Sequence, residues 1–107
     1  MKKDIGIRYV IRYLDKNGVY NYMKSKNSYA TDFYDANFTY SLYYKCVIKY
    51  KTLKRAFDKL NKIQIDNLNQ FEVVEFDLHE KYISKLTSKI YKYRDLSLYF
   101  KINKLMK

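Results

Sequence analysis

The chain has 107 residues, 48% of them apolar and 19% aromatic, with no Pro, no Trp and one Cys; it is long enough for one domain over residues 1–107 and too short for a core plus a separate catalytic lobe. Its 22 Lys/Arg against 11 Asp/Glu leave a formal net charge of +11, a self-repelling excess usually tolerated for an anionic partner. No run approaches the roughly 18 consecutive apolar residues of a membrane span, and Met1-Lys2-Lys3-Asp4 leads into alternation rather than an apolar leader, so the expected location is the cytoplasm.

Ile5, Ile7, Tyr9, Ile11 and Tyr13 alternate with Gly6, Arg8, Val10, Arg12 and Leu14, which predicts a half-buried strand with Arg8 and Arg12 sharing its outer face. Asp15-Lys16-Asn17-Gly18 then reads as a hairpin turn, since Asn and Gly tolerate positive φ, with a return strand over residues 19–24. Residues 25–30 are polar and read as a loop. Residues 31–44 fit either a short helix running into a strand or an aromatic-packed loop. The β-branched and aromatic content around Tyr43-Tyr44-Lys45-Cys46-Val47-Ile48 favours a strand over about residues 40–50, with Cys46 a buried thiol inside it.

Thr52 is placed as the N-cap of a helix over residues 53–63, in which Leu53, Ala56, Phe57, Leu60 and Ile63 form one apolar stripe. Residues 65–70 read as a turn. Alternation over residues 71–78 predicts a strand with Val74, Phe76 and Leu78 toward the core and Glu75 and Asp77 toward solvent. From Glu80 to Tyr93 the period becomes helical, with Tyr82, Ile83, Leu86, Ile90 and Tyr93 on one face and Lys81, Lys85, Lys89 and Lys92 on the next. The tail over residues 96–102 fits a strand or a continued helix. The predicted class is therefore α+β: a small, mostly antiparallel sheet with an N-terminal β-hairpin, one helix packed on it, and a basic C-terminal helix.

Charge is concentrated at the end of the chain. Residues 81–107 hold eight Lys/Arg against Asp95 alone, a net +7. The 18 Lys to 4 Arg, with 14 Tyr and 3 Ala, match the codon bias of a low-GC genome, which raises lysine without any selection for binding. Codon bias would lift Glu with Lys, however, and does not explain the imbalance of sign.

The chemistry follows from these placements. His79 shares a strand face with Glu75 and Asp77, but alternating polar residues are what the wet face of an antiparallel strand looks like, and Asp32 and Asp35 read as cap and turn residues. No nuclease-type Asp/Glu/Lys spacing, no zinc-type cluster and no Gly-rich phosphate loop is present, so we expect no enzyme activity, no cofactor, no metal and no small-molecule substrate. The row Lys81, Lys85, Lys89 and Lys92 on consecutive turns would extend roughly 16 Å at the helical rise, enough to follow several phosphates. Arg94, Arg8, Arg12 and Tyr91 complete the expected binding surface for nucleic acid or a partner. Tyr is interleaved with cations in Tyr43-Tyr44-Lys45, Lys49-Tyr50-Lys51 and Tyr91-Lys92-Tyr93-Arg94, a combination suited to unpaired bases and equally to protein interfaces. Membrane association is not expected, because the apolar face of the basic helix is narrow and consumed by the core.

The order hairpin, loop, Tyr50-Lys51-Thr52-Leu53-Lys54-Arg55-Ala56 helix start and Phe71-Glu72-Val73-Val74-Glu75-Phe76 strand resembles small accessory proteins of bacteriophages and mobile elements of low-GC bacteria. That group includes anti-CRISPR and other inhibitors of host defence, which typically occlude a nucleic-acid or cofactor site on a large nuclease. The resemblance implies a non-enzymatic inhibitor in the host cytoplasm, with a nucleoprotein such as a CRISPR effector as partner. Most well-known anti-CRISPRs look acidic, and +11 departs from that, so the implied contact is a guide RNA, a nucleic-acid-bound complex or an acidic protein surface. The basic C-terminal segment has no counterpart in that pattern. An autonomous DNA- or RNA-binding accessory protein is the alternative.

Overall fold

Alternating β-formers make Ile7–Leu14 the strand β1, and it lies at the centre of a sheet. The computed structural model describes residues 6–63, 67–78 and 89–105. β2 (Tyr20–Met23), β3 (Phe38–Thr39), β4 (Phe71–Asp77) and β5 (Lys89–Lys92) complete a five-stranded sheet of order β3-β2-β1-β4-β5. All its described pairings are antiparallel. The helices are α1 (Phe33–Asn37), α2 (Leu53–Asn61) and α3 (Tyr93–Leu105), and a 3-10 turn at Leu68–Gln70 leads into β4. The architecture is α+β, with strands at the N-terminal end and a helix at the C-terminal end.

The β1–β2 hairpin forms at Asp15-Lys16-Asn17-Gly18, as the turn residues predict. Asp15 Oδ1 accepts from the Asn17 and Val19 amides, each at 2.9 Å. Within the turn only Gly18 takes a positive φ, 78°, and no non-glycine residue among those described does; Asn17 reaches the turn without a left-handed backbone.

Both faces of β1 are covered, which overturns the half-buried expectation. On one face Ile11, Phe71 and Val73 pack with Phe57 and Leu60 of α2 and Leu96 of α3. On the other, Val10 and Val74 pack beneath Leu42 and Val47. Those last two residues belong to a run whose composition predicts a strand. The ladder takes up Phe38–Thr39 just before it, and within the run only single bridges form, at Lys24↔Val47 and Tyr9↔Tyr50. Residues 40–52 instead cross the second face in turns, with the Tyr43 amide bonded to Ser41 Oγ and the Val47 amide to the Tyr44 carbonyl at 3.1 Å. Where β2 parts from β1, this run fills the gap: the Ile48 amide donates to the Met23 carbonyl, and Tyr9 and Tyr50 exchange two amide bonds of 2.8 Å. With Val47 turned into the sheet, Cys46 faces outward and is exposed, not buried.

Helix α2 matches the predicted stripe. Thr52 Oγ1 accepts from the Arg55 amide, and Ala56, Phe57 and Leu60 are buried. In β4, Val73 and Val74 are both fully buried, as a strand covered on two faces requires. Leu78, expected inside, is 43% exposed just past the end of β4, where its amide donates to the Gly6 carbonyl at 2.8 Å.

The basic helix is corrected in its second half. Residues 89–92 are the edge strand β5, paired Glu75↔Lys89 and Glu72↔Lys92. Each lysine sits opposite a carboxylate, a cross-strand match that a four-residue lysine spacing does not reveal. The helix begins only at Tyr93 and carries the tail, with Leu96 buried and Phe100 stacked on Phe57 at 4.8 Å. Predicted features at residues 79–88, Lys81, Lys85 and His79 among them, lie outside the described residues.

Candidate functional site

In a strand, residues three apart point to opposite faces, and this divides the expected binding set. Lys89 and Tyr91 fall on the helix-covered face, and Tyr91 packs against its core. Arg8, Arg12 and Lys92 fall together on the other face, with Glu72. Arg94 is exposed in the first turn of α3.

Arg12 is not open to a ligand. It is 7% exposed, its Nε lies 2.6 Å from Glu72 Oε1, and its guanidinium sits 3.7 Å above the Tyr20 ring. Lys92 Nζ approaches the second Glu72 oxygen at 3.9 Å while its side chain stays 72% exposed. Arg8 is half-buried and donates to the Ile7 carbonyl at 2.8 Å.

The Glu75 neighbourhood is likewise internal. The Tyr9 hydroxyl donates to Glu75 Oε1 at 3.0 Å; burial, then this contact, pushes the Tyr9 phenol up to about 12. Burial and the same carboxylate raise Tyr91 as well. Among the described residues no three His, Cys, Asp or Glu side chains are grouped to hold a metal ion.

Other carboxylates are also taken up by the fold. Asp15 serves the hairpin, and the Val19 amide foremost holds its carboxyl below the usual value. Asp32 caps α1 through the Asp35 amide, as expected of it. Asp58 pairs with Lys54 one turn away.

What stands open is the loop over the second face. Tyr40 is 66%, Tyr43 63% and Tyr44 43% exposed, while Leu42 between them is buried. The Tyr40 and Tyr44 rings meet edge to face, 5.5 Å apart, and their hydroxyls share a hydrogen bond that raises the Tyr44 phenol. From residue 36 to residue 57 the chain has no Asp or Glu and carries Lys45, Lys49, Lys51, Lys54 and Arg55. Lys45, Lys51 and Arg55 are exposed, and no carboxylate among the described residues pairs with them.

The Tyr43-Tyr44-Lys45 interleaving is the sequence signal for this surface. The two similar motifs differ from it in three dimensions. Tyr50 is half-buried beside Tyr9, and Tyr93 packs on Phe57 while its hydroxyl donates to Asn61 at 2.7 Å.

Comparisons with protein-family models, with curated proteins and with solved structures gave no match in any of the three. The functional reading rests on the residues themselves.

Proposed function

We propose that the protein is a non-enzymatic binding protein that docks on nucleic acid, alone or within a nucleoprotein, through the basic, tyrosine-bearing loop of residues 40–51 and the cations around it. The observation that supports this is the partition of charge. Most of the described carboxylates are engaged by the fold's own amides, hydroxyls and cations, whereas the exposed Lys45 and Lys51 share an acid-free stretch of chain with the exposed Tyr40, Tyr43 and Tyr44. Such a surface attracts a polyanion and releases counterions on contact.

Lys92 and Arg94, both exposed, extend the positive field on β5 and α3. Arg12 has a supporting role, neutralising Glu72 and stacking on the Tyr20 ring. The resemblance to phage accessory proteins extends the proposal to an inhibitor seated on a host nuclease complex in the cytoplasm. Among the described residues no helix is long and apolar enough to cross a membrane.

Binding to naked oligonucleotides and to an assembled nucleoprotein, each across a salt series, tests the reading. Affinity that falls steeply with salt supports it. Salt-independent affinity would exclude a polyanion as the ligand. Metal-dependent cleavage of either nucleic acid, abolished by Glu75→Ala, would overturn the non-enzymatic assignment.

A further inference from the structure

We infer that residues 40–51 form a stacking platform for unpaired bases, so that the ligand is a single-stranded segment of nucleic acid rather than a duplex. This rests on the nucleic-acid reading above and adds the form of the ligand and the residues that read it.

Three exposed aromatic rings within five residues are unusual on a surface that gains nothing from them. Here they are carried on a frame fixed at both ends. Leu42 and Val47, 6% and 4% exposed, anchor the loop in the core with Val10 and Val74. Backbone bonds from Ser25 to Cys46, from Ile48 to Met23 and between Tyr9 and Tyr50 hold the segment after the rings. A ring on a fixed frame loses little conformational freedom when a base lands on it, which favours binding.

Charge selects the occupant. The rings' own loop carries Lys45, Lys49 and Lys51 with no Asp or Glu between residues 36 and 57, a charge that complements a phosphate backbone tracking past stacked bases. A duplex keeps its base faces stacked on one another and would meet only the cations, leaving the tyrosines idle. The hydrogen bond to Tyr40 raises the Tyr44 phenol, so that ring brings no negative charge to the phosphates.

The experiment measures affinity by fluorescence anisotropy at fixed low salt for oligouridine of about twelve nucleotides, within the usual footprint of single-strand binders, and for a duplex of equal length. Variants are Tyr40→Ala, Tyr43→Ala, Tyr44→Ala, the triple Ala and triple Phe forms, and Lys45→Gln/Lys51→Gln, with unfolding curves to confirm that each remains folded. We expect tighter binding of the single strand, a loss of about 5- to 150-fold for each base that loses its ring, and near-wild-type affinity in the triple Phe form, which keeps the rings. Equal or tighter binding of the duplex overturns the inference. So does a triple Ala form that binds like wild type, and if the Gln variant then weakens binding, the polyanion reading stands while the platform falls. A protein partner is the occupant instead if oligouridine does not bind at low salt, and that outcome also overturns the inference.

Discussion

Arg12 and Glu72 neutralise each other at the heart of the sheet, with side chains only 8% and 13% exposed. Removing one partner leaves the other charge buried without compensation, so Glu72→Ala should lower unfolding free energy by about 3 to 5 kcal/mol, read from denaturant midpoints. Replacing both residues by apolar ones of similar volume should recover most of that loss. Tyr9 makes a pH-dependent forecast. Its folded pKa is about 12, above the ordinary phenol near 10, so between these values the folded state holds a proton that the unfolded state has released. Its contribution is complete below about pH 10 and is lost as pH rises through about 12. Tyr9→Phe should cost about 1.5 kcal/mol at neutral pH, the value of a bond to a carboxylate, and should make stability less sensitive to pH in that alkaline window. Period-two alternation makes it legible that Arg8 and Arg12 share a face. The burial of Arg12 is not legible, because its partner lies 60 residues further along the chain.

At the scale of elements, α2 is readable because every local signal agrees, from the Thr52 cap to the stripe of Ala56, Phe57 and Leu60. Phe57 is stacked between Tyr93 at 5.8 Å and Phe100 at 4.8 Å, so Phe57→Ala and Leu60→Ala should each cost about 2 to 5 kcal/mol by thermal or denaturant unfolding. Thr52→Ala should cost about 1 kcal/mol. Strand β5 is hidden in the sequence because lysines at four-residue spacing satisfy a helix, and what decides its form is non-local pairing with Glu72 and Glu75. Tertiary pairing overrides local pattern in this way most readily in short segments. The run over residues 40–50 misleads in the opposite sense. Its β-branched and aromatic residues suit an extended chain, but Leu42 and Val47 are needed as plugs for the second face, and the Ser41 turn breaks the ladder after Thr39.

For the whole molecule, the sequence pattern makes the class of fold readable and the net charge of +11 motivates the proposal of an anionic partner, while the position of the proposed binding surface depends on which faces the strands leave open. A core with helices on one side and a loop on the other places exposed Tyr40, Tyr43 and Tyr44 where that loop turns outward. Of the C-terminal cations that dominate the sequence, Lys89 and Lys92 are divided by β5 between two faces. The proposed function requires the loop cations to touch a phosphate backbone, and the salt dependence of oligouridine binding reads that contact. Changing Lys45 and Lys51 to Gln should weaken binding and reduce the slope of log affinity against log salt by roughly 0.7 for each phosphate no longer neutralised, roughly 1.4 in total if both cations are engaged. An unchanged slope with unchanged affinity in that folded variant would exclude phosphate binding by this loop.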